Sequence, residues 1–323
     1  VYKRQSNDHF WAGLISTYTT KFGDDFDFYG GIDYRYYKGL HQNVITDLFG
    51  GKYYIDSYNR KNVLAANSVN GGNTAWVNEK LGVGDVIRRD YDGFVMYEGG
   101  FAQLEYNKDA VSAFVSGGLT NTSYWRHDRM YYSGDKQDSS KKHYLGGNVK
   151  AGLNYNLDDH NNVFVNAGFI SRAPIFDNTF INSQSSHERN ADAKNEKVYS
   201  FELGYGYRSN YFSANVNAYY TIWKDKALYD TGSYDDVDGN SQRWTMNMSG
   251  AQANHMGVEL DFVAKPFRWM EFTGMFSWGD WRWNGTATGY MMNTQGQIIK
   301  STQGGVLTDM SQAEQYKYLS LIH

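Results

Sequence analysis

The feature that most constrains this chain is a two-residue alternation of apolar and polar side chains, broken by connections of two unlike lengths. Residues 211–222 place Phe212, Ala214, Val216, Ala218, Tyr220 and Ile222 on one side of an extended chain, and Ser213, Asn215, Asn217 and Thr221 on the other. Residues 257–264 set Val258, Leu260, Phe262 and Ala264 against Glu259 and Asp261. Residues 26–36 set Phe26, Phe28, Ile32, Tyr34 and Tyr36 against Asp27, Asp33 and Arg35. Similar runs at 9–22, 94–107, 110–125, 145–155, 162–172, 197–207 and 270–283 predict about ten strands. Each strand has one greasy face and one wet face, because neighbouring residues of a strand point to opposite sides.

The connections alternate too. Gly23-Asp24-Asp25, Asn107-Lys108-Asp109, Asp158 to Asn162, Arg208-Ser209-Asn210 and Pro266 to Trp269 are tight turns. Between the resulting hairpins lie long polar stretches at 50–92, 126–142, 173–196, 229–252 and 284–318. A soluble antiparallel sandwich alternates likewise, but its turns are rarely so unequal, and structureless connections this long are uncommon in compact soluble domains. The expected fold is therefore all-β: a segment of an antiparallel transmembrane β-barrel, with short periplasmic turns and long extracellular loops, forming an open curved sheet. A mean hydropathy of −0.65 agrees, since only every second residue of a spanning strand meets lipid. Aromatic residues, 17% of the chain, gather at strand ends where membrane girdles sit. With no cysteine, neither disulfides nor thiolate metal sites can form. A net charge of −4 gives no field that would draw nucleic acid.

The two ends are expected to be foreign to the fold. Residues 1–5 (Val-Tyr-Lys-Arg-Gln) can be encoded by a string whose reverse complement encodes residues 319–323 (Leu-Ser-Leu-Ile-His). Two protein termini have no reason to be related in this way, whereas a DNA fragment with one sequencing adapter at both ends does. Residues 1–5 and 319–323 are read as adapter-derived scars, and 6–318 as a partial barrel from a longer reading frame.

Residues 162–264 carry a more specific signal. Arg172-Ala173-Pro174 follows a strand and Asn195-Glu196-Lys197 opens the next, which contains Glu202-Leu203-Gly204-Tyr205. An aromatic-rich partner strand ends in Lys224-Asp225, and Gly257-Val258-Glu259-Leu260 comes after it. In order and spacing this resembles the barrel of TonB-dependent outer-membrane receptors, in a style most like those of Bacteroidota. The resemblance implies a bacterial outer-membrane location and a parent barrel of about twenty-two strands around an N-terminal plug. It also implies energy from TonB and import of a scarce, bulky nutrient to the periplasm. Outer-membrane lipid, TonB, the plug, the nutrient and a surface lipoprotein are the expected partners. Glycan, siderophore, haem and cobalamin all remain open as cargo.

No enzymatic activity, metal site or cofactor is expected. A passive porin-like or structural barrel is the alternative, and an omptin-like outer-membrane protease a further one, for which Asp25 with Asp27 and Asp158-Asp159-His160 have superficially suitable spacing. Those carboxylates fall at the short-turn end, where an aspartate more simply forms the turn. Ligand capture is assigned to aromatics expected in the long loops, Trp76, Trp125, Trp244, Trp283 and Tyr290, with loop self-packing or girdle anchoring as the plainer role. Glu202, Asn215, Asn217, Glu259 and Asp261 are expected to face the lumen, there to hydrogen-bond structurally or to touch ligand. Paired glycines within strands (Gly30-Gly31, Gly117-Gly118) are read as relieving crowding, for curvature or a closely approaching plug.

Overall fold

The computed structural model describes residues 1–61, 73–235, 241–284, 286–293 and 316–317. Ten long strands run in order: β1 (Tyr2–Phe22), β2 (Phe26–Asp47), β3 (Val86–Lys108), β4 (Val111–Asp128), β5 (Lys142–Asn156), β6 (Asn161–Arg172), β7 (Glu196–Arg208), β8 (Phe212–Asp235), β9 (Ser241–Phe267) and β10 (Met270–Asn284). Each pairs antiparallel with the next. A short β11 (Thr286–Asn293) continues along the upper part of β9, and β12 (Tyr316–Lys317) lies against β11. Among the described residues no ladder joins β1 to β10, so the sheet is open. The connections also hold three short helices, α1 (Ser57–Lys61), α2 (Thr74–Val77) and α3 (Phe176–Thr179).

The five tight turns fall where the sequence places them, all at one end of the sheet. Two use a left-handed residue: Gly23 (φ 64°) and Asp109 (φ 49°). At the other end strands outrun their hydrophobic pattern. Within the stretch 229–252, expected as a loop, residues 229–235 and 241–252 are instead strand, with β8 reaching Asp235 and β9 starting at Ser241. Likewise β3 begins at Val86, within the expected loop 50–92, and β11 lies within 284–318. Backbone pairing continues above the apolar zone, where no lipid demands a greasy face and the alternation of side chains fades. Register shifts between Trp223 and Leu228, with Asp225 at φ 54°, mark the change on β8. Residues 2–5 pair with β2 along with the rest of β1.

Cross-strand rows show how faithfully the two faces stay apart. One row reads Leu260, Val216, Tyr205, Val163, Tyr155, Val111 across six strands. The next reads Glu259, Asn217, Gly204, Phe164, Asn154, Ser112. Segment 173–195 folds over the second face: Phe176 sits on Gly93, and Tyr124 Oη donates to the Pro174 carbonyl at 2.9 Å. That face is the inner one. Strand glycines there seat aromatic rings: a Cβ on Gly31 would lie 2.7 Å from Phe101 Cζ, and Phe164 fills the same space over Gly204. The glycines relieve crowding, and these rings are what they accommodate.

The outer face is apolar over a limited height. Phe26 packs on Tyr106 (centroids 4.9 Å) near the short turns, and Phe94 stacks flat on Trp125 (5.0 Å) beside Tyr36 higher up. Tyr36 lies about ten residues above Phe26 on β2, roughly 33 Å along a strand and about 25 Å in height at a 40° tilt, the height of an outer-membrane hydrocarbon band. No helix among the described residues is long and apolar enough to cross a membrane.

Candidate functional site at the long-loop rim

The inner face at the long-loop end is organised by one buried cation. Arg126, near the end of β4, is wholly inaccessible. Its Nη2 donates to Asp128 Oδ2 (2.8 Å), and its Nη1 donates to the Ser186 carbonyl (2.7 Å) and to His187 Nδ1 (3.0 Å). Its guanidinium lies over the rings of Tyr91 (4.7 Å) and Phe180 (5.6 Å). Asp128, equally buried, also accepts from the backbone N–H of Met130 and Tyr131 (2.9 and 2.6 Å). A charge so far from water is tolerable only when paired and hydrogen-bonded; Nε alone is left without a hydrogen-bond partner among the described residues, and the Nη partners fix segment 173–195 against β3 and β4.

The same segment is tied to the far side of the sheet. Asn247 of β9 donates to the Phe180 and Ile181 carbonyls (both 2.9 Å), Asn178 donates to Met248 O (3.2 Å), and Ser249 Oγ donates to Asn178 Oδ1 (3.2 Å). It is thus a strut between β4 and β9. His187 stacks on Tyr132 (3.7 Å) and its Nε2 meets the Gln137 carbonyl at 3.0 Å. An arginine can only donate and a carbonyl only accept, so His187 is the neutral tautomer carrying its proton on Nε2. Burial, then the neighbouring Arg126 charge, lowers its pKa from 6.5 to about 4.

Beside the strut is a polar cavity of about 410 Å³, within the range of small-molecule sites. Residues of β1–β3 line one side of it and residues of β8 and β9 the other. In a flat sheet β1 and β8 would lie roughly 34 Å apart, seven strand spacings. Their ends share one cavity, so the trough is curled and drawn in at this rim.

Of the residues expected to capture ligand, Trp244 lines the cavity, its ring laid over Gly232 on β8. The others are dispersed. Trp76, on α2, is covered by the Arg60 guanidinium (4.7 Å). Trp125 stands on the outer face against Phe94, with Lys141 over it at 4.4 Å. Trp283 is on β10 opposite Ala253, and Tyr290 is on β11 opposite Asn247, its side chain outside the described residues. Four of the five therefore sit on strands rather than in loops: Trp125 and Trp283 at the ends of the expected strands 110–125 and 270–283, Trp244 and Tyr290 where strands extend into the expected loops. Glu202, Asn215, Asn217, Glu259 and Asp261 share the inner face lower down, where Glu202 accepts from Asn166 (3.0 Å) and Asp261 from Asn215 (3.1 Å).

The carboxylates weighed for proteolysis lie at the opposite end. Asp25 pairs with Lys108 (3.0 Å), and Asp158 caps its own turn through the N–H groups of His160 and Asn161 (2.7 and 2.8 Å). Sequence reasoning missed Arg88, Arg89 and Tyr131, which also line the cavity. A signal was present: two adjacent arginines at the head of β3 break the alternation.

The architecture has counterparts. Residues 2–313 match the model of the TonB dependent receptor-like β-barrel family. The chain belongs to that family. It is similar in fold to the copper transporter OprC (TM-score 0.60, 14% identity, 90% of this chain and 44% of that one). It is similar also to the FrpB iron transporter from Neisseria meningitidis, F3-3 variant (TM-score 0.51, 12% identity, 88% and 40%). No curated protein matches the sequence. The chain thus spans less than half the length of these two solved structures. TonB-dependent receptor barrels are bacterial outer-membrane proteins, and both neighbours are transporters rather than enzymes.

Proposed function

We propose that this chain is the barrel wall and extracellular vestibule of a receptor that binds a scarce nutrient outside the cell and imports it with TonB-transmitted energy. The observation that carries the reading is the braced cavity at the long-loop rim, on the inner face of a barrel of this family. A passive pore needs no strut with a buried cation; a receptor must hold its binding surface in one shape before ligand arrives. In this reading Glu202, Asn215, Asn217, Glu259 and Asp261 line the water-filled path below the cavity, and Trp244 supplies its aromatic surface. The plug and TonB act from the periplasmic side, any surface lipoprotein meets the long-loop rim, and no catalytic step is involved.

The test is uptake by cells carrying the full-length parent gene, with TonB present or deleted. Import or growth on the cognate nutrient should require TonB. A receptor that conducts small ions freely in a planar bilayer, and supports the same uptake without TonB, belongs to the passive class instead.

A further inference from the structure

The rim cavity is walled unlike the path beneath it. Below, carboxylates share the inner face with amides; at the cavity, Arg88 and Arg89 are present and no carboxylate contributes to the wall among the described residues. Three acids that neighbour the arginines are engaged, two with other cations and Asp56 with Asn59 and the Arg88 backbone. Asp90 is paired with Arg129 (2.8 Å), Asp92 with Arg129 and Lys38 (3.0 and 3.1 Å), and Asp56 accepts from Asn59 (2.6 Å) and from a backbone N–H. The Nε atoms of Arg88 and Arg89 are buried without a hydrogen-bond partner among the described residues.

Two consecutive strand residues should point to opposite faces. Here they do not, because the ladder jumps: Gln42 faces Asp90 while Asn43 faces Ile87, leaving Arg88 and Arg89 as extra residues in a bulge. Arg88 adopts φ 66°, a left-handed conformation costly for a side chain of this size. Both its backbone polar groups are pinned: its N–H donates to Asp56 Oδ2 (2.9 Å), and Tyr131 Oη donates to its carbonyl (2.6 Å). Asp56 is 1% exposed, and burial pushes the Tyr131 phenol well above its ordinary pKa, keeping it a donor. The bulge is therefore held in a strained shape whose visible result is two guanidinium groups in one cavity.

We infer that Arg88 and Arg89 form an anion-recognition site, so that the captured nutrient presents a carboxylate or phosphate group to the rim cavity. This rests on the receptor reading above and narrows its cargo to anionic compounds. The two guanidinium forks suit planar or tetrahedral oxyanions, and the hydroxyls and amides around them supply further donors. Lipid phosphate is a poor occupant, since the wall includes Asn43 of the inner face, turned away from the bilayer.

The experiment uses the purified full-length receptor, titrated calorimetrically with citrate, inorganic phosphate and, as a neutral control, maltose. Saturable binding of citrate or phosphate that weakens with salt is expected, with none for maltose. Arg89→Gln should reduce anion affinity at least about tenfold, the loss of a charge-assisted bond. Arg88→Gly is the more telling variant: glycine accepts the left-handed backbone, so the receptor should be as stable as before yet bind anion at least about tenfold more weakly. Lys141→Gln, on the outer face, should change nothing. Wild-type affinity in both arginine variants, or no anion binding by the wild type, overturns the site. The two readings fail separately: TonB-dependent uptake untouched by Arg88→Gly removes the anion site alone, whereas anion binding without TonB-dependent uptake removes the receptor reading alone.

Discussion

The two ends of the sheet are built by different rules. At the short-turn end, beside the exposed Asp25–Lys108 pair between neighbouring turns, each turn is closed by local bonds: Asp158 caps the backbone two and three residues ahead, and Ser209 Oγ closes a turn with Phe212, donating to its carbonyl (3.0 Å) and accepting from its N–H (3.1 Å). At the rim, Arg126 reaches Ser186, Tyr124 reaches Pro174, and Ser249 reaches Asn178, contacts fifty or more residues apart in sequence. Local bonds form on their own and are lost singly. Distant ones exist only once the sheet is complete, and there they are buried and mutually dependent. The contrast assigns stability of shape to the rim, where a ligand would be met.

The sharpest way to break that contrast is to remove the rim's central cation. Arg126→Met leaves Asp128 buried without its partner, and losing one member of a buried ion pair costs roughly 3–5 kcal/mol. Much of that loss should appear locally, as release of segment 173–195. Limited proteolysis of the full-length receptor should find new cleavage there while the hairpins stay intact. Unchanged resistance in the variant would mean that the strut does not depend on Arg126.

A second prediction compares the faces rather than the ends. Val216 is on the outer row with Leu260 and Tyr205, and Asn217 is on the inner row with Glu259. Val216→Arg should destabilise the membrane-inserted receptor by roughly 2–4 kcal/mol if it lies near the bilayer midplane. Asn217→Arg should be tolerated far better. Equal shifts in a refolding titration would show that both faces meet the same solvent.

What could be read in advance follows the same division. The ten strands and five turns were legible because their cause is local: a period of two, and Gly23 or Asp109 where a turn needs a left-handed residue. The upper parts of β8 and β9 were not, since the one alternation there, Trp244, Met246 and Met248 against Thr245, Asn247 and Ser249, is short and set in a polar stretch. Nor could a pattern say that Trp125 stacks outward on Phe94 while Trp244 turns into a cavity, which depends on a strand's register and on where the apolar band ends. Arg88-Arg89 was written plainly, yet its meaning rests on Asp56 and Tyr131, more than thirty residues away on either side.

A pH titration probes the rim more gently. The folded pKa of His187, about 4, is below the usual 6.5, so folding favours the neutral ring. Its contribution is fully present above about 6.5 and is lost as the pH falls toward 4, because the unfolded chain binds the proton first. Release of segment 173–195, followed by hydrogen exchange, should increase through that window. In His187→Gln, whose amide oxygen can still accept from Arg126, the increase should be blunted. An identical pH profile in the two proteins would show that another group governs the rim's acid sensitivity.

The smallest effect belongs to the other end. The Asp158 carboxylate accepts from the N–H groups of His160 and Asn161 and from the Asn161 side chain, which together hold its pKa below the ordinary carboxylate value. A depressed pKa means that this contribution is present above the unfolded value and disappears as the pH falls through the folded one. The site is exposed, so water replaces a lost bond readily. Asp158→Ala should therefore lower the urea midpoint of the full-length receptor by much less than Arg126→Met, and Asp158→Asn by less again, since an amide oxygen still accepts. Wild type and Asp158→Ala should converge in strong acid, where the native carboxyl is protonated too. A loss from Asp158→Ala as large as that from Arg126→Met, or cleavage appearing in 173–195, would mean that the turns are coupled to the rim across the membrane. The two ends could then no longer be treated as separately built.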